Sequence, residues 1–129
     1  MPGTSLDGVE LQALDTALSQ FNSGHFFECH DTLEEVWQGC RGPVRDLLQG
    51  LIHLAVGFYH LGNGNVAGGT SQLEKGLARL EANGAVGLPI DLASLGASVA
   101  EWLRRAKTGE SLRAPVAALP KIRRTGPIS

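Results

Sequence analysis

The residues that could do chemistry fall in two adjacent stretches, FFECHDTLEEVWQG at 26–39 and PVRDLLQGLIHLAVGFYHLG at 43–62. In the first, Glu34 follows His30 by four residues, so on a helix the two side chains can meet. Glu28 and His30 would stand roughly 160° apart at about 100° per residue, so this one helix cannot aim both at one small ion. Glu28, Asp31 and Glu35 point further round, towards solvent or another element. In the second stretch, Arg45, Gln49, His53 and His60 share an arc of about 80° on an otherwise apolar rod. Gly57 lies between the two histidines on that side and leaves room for another group to approach. A polar side chain buried without a partner costs roughly a few kcal/mol. The stripe should therefore meet a polar stripe on a neighbour, and the nearest is the His30/Glu34 edge.

Three chemistries suit this set. The stripe can be a buried hydrogen-bond network that fixes how two helices pack. It can be a metal site, with His30, His53 and His60 as ligands, Glu34 as ligand or general base, and Arg45 holding an anionic substrate group. Imidazole with carboxylate suits zinc, iron or manganese, and such a divalent metal would activate water for hydrolysis. It can also line a pocket for a small anionic or polar ligand, with Arg45 as the anion partner. Glu28, Asp31 and Gln49 would complete the polar surroundings. HExxH and paired ExxH spacings are absent, as are a Gly-rich phosphate loop and a Ser-His-Asp order.

Positioning these residues requires helices. Leu11, Leu14, Ala17, Leu18 and Phe21 recur at helical steps and predict a first helix over 5–22, ended by Asn22-Ser23-Gly24. The second covers 26–39 and the third 43–61, with Pro43 in its first turn. The third is apolar almost all round, which predicts a central place in the domain. Gly62-Asn63-Gly64-Asn65 reads as a stop followed by an N-cap, before a fourth helix at 66–82. A fifth covers 91–107 with Asp91 as N-cap. A repeat at an offset of 40 pairs Leu14 with Leu54, Phe21 with Leu61, Gly24 with Gly64, Leu33 with Leu73, Glu34 with Glu74 and Trp37 with Leu77. The expected architecture is all-α: a compact bundle of about five helices containing two stacked hairpins that resemble tetratricopeptide hairpins. Trp37 and Trp102 are expected in the core, His25 exposed in a turn, and Cys29 as an inert buried thiol.

The chain of 129 residues suits one domain, expected over 1–107, followed by a basic, Pro-containing tail at 108–129. Residues 1–99 hold 4 basic and 11 acidic side chains, and residues 100–129 hold 7 basic and 2 acidic. A basic tail can meet nucleic acid, but balancing an acidic body is its expected role. The N-terminus lacks the pattern of a signal peptide, and there is no long apolar run for a membrane span. The cysteines Cys29 and Cys40 fit no disulfide or CxxC framework, so a reduced, cytoplasmic protein is expected. A non-catalytic interaction module is the rival function, with homo-oligomerisation as its expected partnership.

The run from Phe21 to Gly68 resembles the domain-of-unknown-function family 309. The family pattern is close to F-x-x-G-x-F-x-E-x-H-E-x-L-E-E-x-W, then R-x-x-L-Q-G-L-I-Q, Y-H and G-N-x-x-G. Matching positions are Phe21, Gly24, Phe26, Glu28, His30, Leu33, Glu34, Glu35, Trp37, Arg45, Gln49, Gly50, His60, Asn65 and Gly68. The likeness covers about residues 18–80. Asp31 stands where the family usually has Glu, and His53 where it often has Gln. The resemblance implies a compact all-α fold. By the label its members often carry, it also implies metal-dependent hydrolysis.

Overall fold

The computed structural model describes residues 6–109 and 120–125. Five helices follow in order: α1 Gly8–Asn22, α2 Phe26–Gln38, α3 Gly42–Gly62, α4 Val66–Ala82 and α5 Leu92–Thr108. The start of α1 is later than the periodicity predicts, because Asp7 closes a capping box. Its carboxylate accepts from Glu10 N at 2.7 Å, and Asp7 N donates to Glu10 Oε1 at 3.1 Å. The caps expected at Asn65 and Asp91 are present, each accepting at 3.0 Å, from Gly68 N and Ser94 N.

The repeat is real at the level of the turns. Gly24 and Gly64 both sit at φ 81°, the left-handed region that glycine enters without a Cβ penalty. Around them the same bonds recur: His25 N donates to Gln20 O, and Asn65 N to His60 O, five residues back in each copy. Helices α1/α2 and α3/α4 are thus two hairpins with one turn design, stacked through α2 and α3.

The third helix is central, as its composition predicts. Phe58 on α3 meets Phe21, Phe26 and Trp102 with ring centroids 5.8, 5.5 and 5.9 Å apart, which ties α1, α2 and α5 to it. Its contact with α4 is closer than side chains normally allow. A Cβ added at Gly57 would stand 2.8 Å from Leu73 Cδ2 and 3.1 Å from Gly69 O. One at Gly76 would stand 2.5 Å from Leu54 Cδ2 and 2.8 Å from Gly50 O. The antiparallel helices therefore meet along two glycine pairs, Gly50 with Gly76 and Gly57 with Gly69, each pair one heptad from the next. The group for which Gly57 leaves room is α4.

Part of the basic segment beyond α5 is docked on the helices. Ile122 is buried against α1, where Asn22 acts as a surrogate strand: its Nδ2 donates to Ile122 O at 3.0 Å and its Oδ1 accepts from Ile122 N at 2.7 Å. Lys121 Nζ donates to Asn22 O, Arg124 pairs with Asp15 at 2.7 Å, and Ile90 and Arg124 form an antiparallel bridge. Two of the tail's cations are thus engaged within the chain. The rest of the expected tail, apart from 108, 109 and 120–125, lies outside the described residues.

Candidate functional site

Polar side chains on α2 and α3 form two features on either side of the hairpin contact. The first is on α2. His30, one turn after Phe26, is mostly shielded, with 24% of its side chain exposed. Its Nε2 lies 3.5 Å from Glu34 Oε2, the pairing expected from the four-residue spacing. Its Nδ1 lies 3.3 Å from Asp31 Oδ1, but off the direction a hydrogen bond requires, so this buried nitrogen has no hydrogen-bond partner. One ligand atom from each of His30, Asp31 and Glu34 falls within 4.8 Å of the others. Glu28 is exposed and outside this group, as the helical wheel predicts. Phe27, exposed beside His30, lies 5.5 Å from the Tyr59 ring of α3.

The second feature is an open cleft of about 380 Å³ over α3, lined by Trp37 of α2, Gly42, Arg45, Asp46, Gln49 and His53 of α3, and Arg79 of α4. The Arg45 guanidinium lies 3.9 Å over the Trp37 ring. Trp102 is in the core as expected, but Trp37 is half-buried and serves as the platform for that cation. Asp46 binds Arg79, and its other oxygen accepts from Asn83 Nδ2 at 2.6 Å, joining the start of α3 to the end of α4.

The expected partner of the α3 stripe is not the one found. Among the described residues, no hydrogen bond or ion pair joins the stripe to the His30/Glu34 edge. His53 Nδ1 donates to Gln72 Oε1 of α4 at 2.7 Å, and its Nε2 accepts from Gln49 Nε2 at 3.4 Å. Both imidazole nitrogens are therefore committed. The reason is the glycine seam: Gly50 and Gly57 flank His53 and draw α4, not α2, against that side of α3. His60 sits at the hairpin turn, where Asn65 Nδ2 lies 3.5 Å from its Nδ1. The seven residues on which the metal and polar-site readings rest are thus divided, with Glu28 exposed and apart from the others. His30 and Asp31 group with Glu34, Gln49 and His53 group with Gln72, and His60 stands with Asn65. Sequence reasoning passed over Gln72, Asp46 and Arg79, although the seven-residue spacing of Gly50/Gly57 and Gly69/Gly76 was a usable signal for the α3–α4 seam.

The thiols take no part. Burial pushes the Cys29 thiol up to about 12, and burial followed by the Glu10 carboxylate raises that of Cys40. Both cysteines are free.

The fold and these features define an all-α protein made of two like hairpins and a fifth helix, with its polar side chains gathered on the middle two helices. Residues 14–71, from the middle of α1 into α4, match the model of the family described as a domain of unknown function, DUF309. No curated protein matches the chain. None of the described helices is long and apolar enough to cross a membrane.

Proposed function

We propose that this domain holds a divalent metal on α2 and uses it in hydrolysis. The observation that supports this reading is the convergence of His30, Asp31 and Glu34, with one ligand atom from each within 4.8 Å of the others. The buried, unpartnered His30 Nδ1 adds to it, because a ligating nitrogen is such an atom before its metal arrives. The donor set of one imidazole and two carboxylates suits manganese, iron or zinc. When bound, the metal would supply Lewis acidity, lowering the pKa of water and polarising a substrate oxygen. Within the chain, Asp31 and Glu34 supply negative charge and Glu34 is the group placed to take a proton. Phe27 stands beside His30 on the same helix, with ring centroids 5.9 Å apart. His53 and His60 are not in the set we propose, since each is engaged elsewhere. The two free, buried thiols support a reducing, cytoplasmic setting. Calorimetric titration of chelator-treated protein with Mn²⁺ and Zn²⁺ tests the proposal. It predicts one site, weakened at least tenfold in His30→Ala and in Glu34→Gln; wild-type protein that takes up neither ion would refute it.

The Gln49–His53 part of the stripe is better read as packing. The chain from Gln49 through His53 to Gln72 satisfies both ring nitrogens and leaves no donor or acceptor on the imidazole for a ligand. Such a network specifies the register of α3 on α4. A loss of folding stability in His53→Leu, which strands both glutamines, tests this reading.

A further inference from the structure

The cleft over α3 is distinct from the His30 group and carries opposite charge. Arg45 and Arg79 line it with a single carboxylate, Asp46, which Arg79 already neutralises. This positive spot lies in an acidic body. Residues 1–99 hold only four basic side chains, and two of them line the cleft, while a third, Arg41, immediately precedes Gly42 at its edge. Arg45 has no carboxylate partner and no hydrogen bond among the described residues, and its Nε is buried. Leaving a buried donor unmade costs about 1–3 kcal/mol, more for a charged group. Trp37 does not remove that cost, since a ring face stabilises the cation but accepts none of its five N–H groups in the plane of the fork. What the ring does is hold the guanidinium flat. With Nε buried, the in-plane Nη groups are the donors left to meet two oxygens of one oxyanion. The first turn of α3 adds to the sign of the field: it has no acidic residue, and its N-cap Arg41 makes no side-chain cap.

We infer that this cleft is a binding site for a small molecule bearing a phosphate or carboxylate group, with Arg45 as its anchor and Trp37 as the platform that orients Arg45. A volume of about 380 Å³ admits a metabolite-sized ligand. The inference stands without the metal reading, because no residue of the His30 group contributes to it.

The test is a ¹H–¹⁵N titration of the full chain in a chelator, at constant ionic strength, with inorganic phosphate in one arm, acetate in a second and chloride as control. Saturable shifts of the Trp37 indole and the Arg45 Nε–Hε signals are expected in at least one oxyanion arm, with the Trp102 indole unmoved. Saturation by phosphate alone assigns a phosphate ligand, and saturation by acetate alone a carboxylate. In Arg45→Met the apparent Kd should rise at least tenfold, and in Arg45→Lys by less. Shifts in both oxyanion arms that grow linearly or match those with chloride would overturn the inference, as would an Arg45→Met protein that saturates like wild type. Should Arg45→Met fail to fold, the comparison of wild-type oxyanion and chloride arms still decides.

Discussion

The two sides of α3 solve the same problem in opposite ways. Against α4, backbones meet at two glycine pairs, and the polar groups caught beside them are bonded to one another: Gln49 to His53, His53 to Gln72, Asp46 to Arg79 and Asn83. Towards α2, polar groups are held in place but each keeps a buried atom without a hydrogen-bond partner. His30 Nδ1 and Arg45 Nε are the two buried side-chain polar atoms with no hydrogen bond among the described residues. Satisfied polar groups specify packing, whereas unsatisfied ones are costs that a fold retains when something outside it can meet them. The comparison separates histidines that look alike in the sequence. His53 belongs to the architecture, and His30 is where the proposed metal would bind.

The largest effects should fall on the seam. Gly76→Ala places a methyl group 2.5 Å from Leu54 Cδ2 and 2.8 Å from the Gly50 carbonyl, so backbone must move. Despite a gain of about 1 kcal/mol in helix propensity, overpacking should leave a net loss of about 2 kcal/mol or more in urea unfolding. Gly62→Ala, with nothing within 4 Å of the new methyl, should be neutral or stabilising. Equal effects at the two positions would dissolve the seam. Next, His53→Leu strands Gln49 and Gln72 and should cost about 1–2 kcal/mol. His53→Gln, which can still donate to Gln72, should recover most of that.

On the α2 side, His30→Ala and Arg45→Met should change the unfolding free energy by less than about 1 kcal/mol, because each removes a group that is itself unsatisfied. A loss as large as that of His53→Leu in either would place it with the packing residues. The smallest effect concerns the thiols. The folded Cys29 thiol titrates near 12 against an ordinary value of 9.0, so the neutral form is favoured on folding. That preference is intact below pH 9.0 and costs stability as pH rises from there towards about 12. A thiol reagent at pH 8 should label neither cysteine in the native state and both after denaturation.

Much of the fold is legible in the residue pattern, because its signals are local. Asn65 and Asp91 announce their helices through caps that depend only on the next three residues. Gly24 and Gly64 announce two like turns through positions only glycine fills at low cost. What Gly57 leaves room for was legible as space but not as α4, since wheel geometry shows a face and not its occupant. The pairing of His53 with Gln72 instead of the His30/Glu34 edge depended on that occupant. The docking of Ile122 by Asn22 could not be read at all, since an amide imitating a strand across 100 positions leaves no periodicity. Within the site, the His30/Glu34 pair was legible from its spacing, but the platform role of Trp37 was not, because an aromatic on an apolar face reads as core.

The division between His30 and His53 is tested most directly by Mn²⁺ and Zn²⁺ titration calorimetry on wild type, His30→Ala and His53→Gln side by side. The account predicts a single site in wild type, lost or weakened at least tenfold in His30→Ala and kept within about twofold in His53→Gln, a ratio worth about 1.4 kcal/mol per tenfold. A site that survives His30→Ala, or one that disappears with His53→Gln, would contradict it.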